Sequence, residues 1–321
     1  MYPLCTDNVS GLVSQDVELL SKLTGKIFLI TGGGGMLGQA FKIQIERNIP
    51  GAVIYCLDKN DLDVRRKKSF SRIDKLKPDF VIHCAALVNA DYCEVYPAEA
   101  KESILGGTQN VVEFSKRCNA KLLYPQSFLI YGESDAPIDE NTEPCPLSVY
   151  GKFKLEAENF ILDRSPHSLI IRMGGFFGGE LLDKNFVGKI IPHLAGLIQQ
   201  GKPSIDIGNR VWQPTYTNDL AANCLLLLAS DSSGKYCMAS EGAASFYGLT
   251  KKIAGISAIA GKIDINCVDA SIFTAKEKAR RPMSAIMKNQ RLNTDGLNRQ
   301  RNWEESLAEY MNQSFFIEQY K

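Results

Sequence analysis

One short stretch limits what this chain can fold into more than any other. The apolar run Ile27-Phe-Leu-Ile30 passes directly into Thr31 and four consecutive glycines, and Gly38 follows shortly after. A continuous apolar run, rather than an alternating one, marks a strand buried on both faces of a parallel sheet. Gly32, Gly35 and Gly38 fit a G-x-x-G-x-x-G spacing. Such a turn lets backbone N–H groups approach a pyrophosphate that side chains would block. The helix opening at Met36 and Leu37 points its positive end at the same place, and Gly38 lets helix and strand pack closely. Gly32, Gly35, Met36, Leu37 and Gly38 are therefore the candidate contacts to a dinucleotide.

The rest of the chain extends this pattern. Further apolar runs lie at 52–57, 80–82, 121–124 and 168–171, and helical patterns lie near 36–48, 66–76, 97–118 and 150–163. Alternating strands and helices of this kind predict an α/β fold, a Rossmann-type doubly wound parallel sheet. With 321 residues there is room for a smaller C-terminal lobe over the strand ends. The expected division is an N-terminal extension over 1–24, a nucleotide-binding domain over 25–173 and 203–238, and a substrate-binding lobe over 174–202 and 239–321. In the extension, Leu12, Val13, Val17, Leu20 and Leu23 suggest a short helix. A helix is expected over 185–199 and another over 217–229. Strands are expected at 203–207 and 235–238, the latter pair of segments, 203–238, belonging to the sheet domain.

Chemistry-bearing residues fall where such a fold collects them. Asp58 ends the second strand about 20 residues beyond Gly38, where a carboxylate can accept hydrogen bonds from ribose hydroxyls. Lys59 follows it and would attract a 2′-phosphate, which leaves NAD and NADP both open. Tyr150 and Lys154 share a helix face at i and i+4. An ammonium beside a phenol favours the phenolate, so Tyr150 is expected to have a lowered pKa and to act as the proton-transfer group. Ser127 ends the fourth strand and would hold the substrate oxygen. The catalytic candidates are thus Ser127, Tyr150 and Lys154.

Other classes are disfavoured. A formal net charge of +1 leaves no electrostatic footprint for nucleic acid or an anionic membrane. The basic run Arg65-Arg-Lys-Lys68 reads as the solvated face of a helix. Nine scattered cysteines with no C-x-x-C pair suit free thiols in a reducing compartment. The N-terminus lacks a secretory pattern, and the longest apolar run, Cys224–Ala229, is too short to span a bilayer. The cytoplasm is the expected location. His83, His167 and His193 carry no metal signature, so no metal site is expected. Trp212 either stacks on a base or packs internally.

At these motifs the sequence resembles the extended short-chain dehydrogenase/reductase family. Thr31-Gly-Gly-Gly-Gly-Met-Leu-Gly38 looks like its cofactor turn, His83-Cys-Ala-Ala86 like the segment after its third strand, and Gln126-Ser-Phe-Leu-Ile-Tyr-Gly132 like its serine strand. Within that family it is most similar to the dTDP-4-dehydrorhamnose reductases. Leu57-Asp-Lys-Asn-Asp-Leu-Asp63, Pro146–Glu156, Lys184-Asn-Phe-Val187, Gln213–Ala221 and Arg281-Pro-Met-Ser284 carry that similarity. The resemblance implies reduction of the 4-keto group of a nucleotide-linked deoxysugar with NADP or NAD, with Tyr150 as the proton donor. It implies Lys154 on the nicotinamide ribose, Asp63 near the adenine, and Ala85 and Ala86 along the cofactor. Phe128, Asn185 and Arg281 are the implied substrate contacts, and a homodimer is compatible with it.

Three positions depart from the pattern. Ser127-Phe-Leu stands where those reductases carry Thr-Asp-Tyr. Gly174-Gly175-Phe176 lacks their usual aromatic residue. Ile104 replaces an asparagine that supports the lysine in many relatives. Two other readings follow: a nucleotide-sugar 4-epimerase with retained cofactor, and a non-catalytic, cofactor-binding regulatory subunit similar to that of methionine adenosyltransferase. Phe128 and Leu129 stand where dehydratases need an acid pair.

Overall fold

The computed structural model describes residues 13–257 and 259–319. Its centre is a six-stranded parallel sheet. It contains β1 (Ile27–Thr31), β2 (Val53–Leu57), β3 (Phe80–His83), β4 (Lys121–Ser127), β5 (Leu169–Met173) and the edge strand Gly234–Met238. Across the sheet the order is edge strand, β5, β4, β3, β1, β2. The order reverses beside β1, which opens a crevice at the carboxyl ends of β1 and β3. This is the Rossmann-type α/β fold expected from the sequence.

The first eight α-helices among the described residues are α1 (Ser14–Ser21), α2 (Met36–Asn48), α3 (Ala90–Val95), α4 (Pro97–Lys101), α5 (Gly107–Cys118), α6 (Val149–Arg164), α7 (Phe186–Gln199) and α8 (Thr217–Ala229). Strand periodicity sorts the core. Phe28, Ile30 and Ile82 pack on one sheet face with Phe41 and Ile45 of α2 and the leucines of α8. Leu29, Val81, Leu122 and Tyr124 pack on the other with α5 and α6. Each such fully buried large side chain stabilises the fold by about 1.5–3 kcal/mol relative to exposure.

The segment 97–118 is helical throughout but not uniform. A π-helical turn, Glu102–Gly106, joins α4 to α5 and buries Ile104. The segment expected as a helix over 66–76 is instead a 3-10 helix, Lys67–Ile73. In the basic run 65–68, Arg66, Lys67 and Lys68 are exposed as expected, while Arg65 is half-buried and its guanidinium grips Asp63 at 2.9 and 2.6 Å.

The strand at Ser204–Gly208 exists, but it does not extend the sheet domain. It pairs in parallel with Asp264–Val268 in a separate two-stranded sheet. Ile207 packs there with Val187, Ile191 and Leu194 of α7 and with Leu249 and Ile253. Its partner strand lies far down the chain, so local pattern carried no hint of that pairing. Trp212 packs internally beside Phe186 and Phe246 in the same cluster.

The extension forms α1, and Leu20 and Leu23 bury in the cluster shared with α8. Asp16, 2% exposed, binds Arg299 at 2.8 and 2.9 Å. Leu12 and the remainder of 1–12 lie outside the described residues. Among the described residues no helix is long and apolar enough to cross a membrane, and no cluster of His, Cys, Asp and Glu is arranged to hold a metal.

Candidate active site

The glycine turn is closed against its neighbours. A Cβ on Gly32, which has φ +69°, would lie 2.7 Å from the Ala85 nitrogen. On Gly33 it would lie 2.5 Å from the Cys56 sulfur, and on Gly38 2.6 Å from the Gly32 carbonyl oxygen. Backbone therefore fills the space that side chains would take. At the N-cap of α2, Gly35 supplies no capping side chain. The first-turn N–H groups, from Met36 onward, are left to an external acceptor, and the helix dipole favours an anionic one. This cradle fits the diphosphate of a nicotinamide dinucleotide.

The predicted cofactor residues gather around it. Asp58 stands beside Gly34, its Cβ 3.6 Å from where a Cβ on that glycine would be. Its carboxylate is steadied by the Asn60 N–H at 2.6 Å. The Ala85 N–H donates to the Thr31 hydroxyl at 3.3 Å, which ties the segment carrying Ala85 and Ala86 to the turn. Asp63 is paired with Arg65, and that guanidinium holds its carboxyl below the usual range.

The proton-transfer residues meet at the carboxyl end of β4. Ser148 caps α6 by accepting the Gly151 N–H at 3.1 Å, a contact typically worth about 1 kcal/mol. Gly151 then lets the helix press onto the turn after β4: a Cβ there would lie 2.1 Å from the Leu129 carbonyl oxygen. That approach brings Tyr150 to Ser127, and Ser127's side chain also accepts the Leu129 N–H at 3.2 Å.

The electrostatics differ from the sequence-based expectation. Burial pushes Tyr150 up to about 12, and the hydrogen bond from Ser127 opposes that shift only in part. Lys154 does not draw the phenol down. Its ammonium instead turns to the Pro125 carbonyl at 2.7 Å and lies 3.8 Å from the centre of the Tyr124 ring. Burial brings Lys154 down to about 7, with Glu158 opposing. Tyr150 thus keeps its proton across neutral pH, the state an acid needs to protonate a carbonyl oxygen.

Below this pair lies a buried polar network that sequence reading missed. Glu158 and Arg172 pair at 2.5 Å while 1% and 2% exposed. Gln126 donates to Glu158 at 2.9 Å and to the Lys154 carbonyl at 2.9 Å. Glu158 stands one turn beyond Lys154 on the face that carries Tyr150 and Lys154, which was the available signal. Arg172, at the inner end of an apolar strand, was the other.

The predicted substrate residues each have their own partners. Phe128 follows Ser127 directly in a 3-10 turn and packs partly against Ile130 and Tyr131. Asn185 stands at the N-cap position of α7 without capping it, and its side-chain amide donates instead to the Phe176 carbonyl at 2.6 Å. Arg281 is not a free cation. Asp91 of α3 takes it at 2.8 and 3.3 Å, and Glu277 lies 3.3 Å away. Asp91 also accepts the Lys278 and Ala279 N–H groups, so this contact fastens the lobe to α3. His83 is buried between Thr31 and Thr108, whereas His167 and His193 are exposed.

The chain is similar to known proteins. Residues 26–315 match the model of the RmlD substrate binding domain. A dTDP-4-dehydrorhamnose reductase from Aggregatibacter actinomycetemcomitans is 32% identical over 196 residues, covering 60% of this chain and 64% of that protein. Methionine adenosyltransferase 2 subunit beta from Xenopus tropicalis is 29% identical over 229 residues, covering 67% and 65%. The match thus spans just under two thirds of the length of both relatives. Among solved structures, dTDP-4-dehydrorhamnose reductase from Bacillus anthracis str. Ames, in complex with NADP, superposes with a TM-score of 0.79. It is 25% identical, covering 89% of this chain and 98% of that one.

Proposed function

Because this chain belongs to the family of the RmlD substrate binding domain, we propose that it reduces the 4-keto group of a nucleotide-linked deoxysugar with NADP or NAD. The relatives named as dTDP-sugar reductases and the solved NADP complex support this reading. The observation that carries it is the buried Tyr150 beside Ser127 at the same end of the sheet as the glycine-turn phosphate cradle.

The nicotinamide, when bound, supplies a hydride. The chain supplies the rest. Gly32, Gly35, Met36, Leu37 and Gly38 bind the diphosphate through backbone N–H groups and the α2 dipole. Asp58 accepts from the adenosine ribose, and Asp63, with Arg65, borders the adenine. Ser127 orients the sugar carbonyl oxygen by a hydrogen bond, and Tyr150 donates its phenolic proton to that oxygen. Lys154, one helical turn from Tyr150 and held at the Pro125 carbonyl and the Tyr124 ring, supplies positive charge on the same helix face and would bind the nicotinamide ribose. Phe128, Asn185 and the segment fastened by Arg281 border the sugar nucleotide.

The test is cofactor oxidation with a dTDP-4-keto-6-deoxysugar by wild type and Tyr150→Phe. Wild type is expected to oxidise NADPH or NADH. Removing the proton donor is expected to lower turnover by about 10²–10⁴-fold and leave the cofactor Kd near wild type. Full activity in the variant would remove Tyr150 from the reaction. Tight cofactor binding with no sugar reduced by wild type would favour the non-catalytic reading, to which the similarity with the methionine adenosyltransferase subunit points.

A further inference from the structure

We propose that Tyr124 is the positioning residue for Lys154, the face of its ring holding the lysine ammonium in place beside the Pro125 carbonyl. The proposal rests on the reading of Lys154 as part of the proton-transfer pair.

Lys154 is 3% exposed, and a buried ammonium must be compensated or it loses its proton. Several elements surround it, and most of what they present does not balance the charge by direct contact. On α6, Glu158 is one turn away and supports the charge from a distance, but its oxygens are bonded to Arg172 and Gln126 rather than to the ammonium. Tyr150 on the same helix stays protonated. From β3 and the residue after it come His83, held down at about 3 and therefore neutral, and Cys84, whose thiol burial pushes well up. The π-helical turn and the start of α5 contribute Ile104 and Thr108, neither of them ionisable. What remains is on β4: the Pro125 carbonyl at 2.7 Å and the Tyr124 ring at 3.8 Å. The second distance is well inside the range in which a ring face attracts a cation.

The ring itself is held in place. Tyr124 lies one position beyond the registered pair Ile82–Leu123, which puts it next to His83 across the strands. The two ring centres are 5.7 Å apart. His83 is fixed at both nitrogens. The Thr108 hydroxyl donates to the Ile104 carbonyl at 2.6 Å, so it accepts from His83 Nε2 at 3.2 Å. His83 Nδ1 then accepts from the Thr31 hydroxyl at 2.8 Å, and Thr31 accepts the Ala85 N–H. One directional chain therefore runs from the segment at the cofactor turn to the neighbour of Tyr124.

The test reads Lys154 directly. Full-length protein labelled with ¹³C at lysine Cε is titrated by NMR, and Lys154→Met identifies the resonance. Wild type, Tyr124→Phe and Tyr124→Met are compared, with near-ultraviolet circular dichroism to confirm native packing. Tyr124→Leu replaces the methionine variant if that one does not fold. Phenylalanine keeps the ring face and should keep the wild-type midpoint. Methionine or leucine removes it and should lower the midpoint by about one pH unit. An unchanged midpoint without the ring overturns the proposal. So does a phenylalanine variant that falls as far as methionine, which would assign the effect to the hydroxyl. The titration needs no sugar: a lowered midpoint in a protein that reduces no ketosugar would sink the reductase reading and leave this one standing.

Discussion

At the scale of single residues, burial sets the chemistry more than the pairing of charges does. Tyr150 and Lys154 have the spacing that suggests an ammonium lowering a phenol's pKa, yet desolvation moves the two in opposite directions, up to about 12 and down to about 7. For reduction this is the useful arrangement, since the acid must arrive protonated. It also gives a sign to the pH dependence. Below about 7 Lys154 is charged and Tyr150 protonated. As pH rises through 7 the lysine loses its proton while the tyrosine keeps its own. The expected kcat/KM for sugar reduction is therefore flat on the acid side of 7 as far as these two groups control it, and falls about tenfold per pH unit above it. A pH–rate profile that stays flat to pH 9 would show that the charge on Lys154 is not needed in the free enzyme.

At the scale of elements, one packing detail does most to build the site: α6 reaches β4 because Gly151 carries no side chain against Leu129. The extension α1 acts at a distance from the chemistry. Its Asp16 draws Arg299 against the helix, so the segment near the C-terminus is clasped to the sheet domain through α1 and α8. Replacing Asp16 with alanine leaves a largely buried guanidinium without its carboxylate. The expected loss is about 2 kcal/mol in urea unfolding, with turnover of the remaining folded protein unchanged. An unaltered unfolding midpoint would mean the pair is ornamental. How much of this was legible follows from where the information lies. Helices 36–48 and 217–229 were legible because their apolar positions are local. So was the order of turn, serine strand and Tyr-Lys helix. The pairing of Ser204–Gly208 with Asp264–Val268 was not, because it is made across some sixty residues of chain. Nor was the fate of Arg281, whose partner Asp91 is remote in sequence and close only once the lobe is folded.

At the scale of the whole molecule, the six-stranded sheet carries the glycine turn and the Ser127–Tyr150 pair at its strand ends, and the segment around Arg281 is tied to α3 through Asp91. Ser127-Phe128-Leu129 leaves no acid pair for dehydration, while reduction needs only the hydroxyls that are present. The measurement that tests this most directly is transfer of label. A dTDP-4-keto-6-deoxysugar is incubated with cofactor deuterated at the nicotinamide C4 position, and the product is read by NMR. A ketoreductase places one deuterium on the sugar C4 for each cofactor oxidised. A sugar inverted at C4 with no net cofactor oxidation, or a sugar returned unlabelled and unreduced, would contradict the assignment.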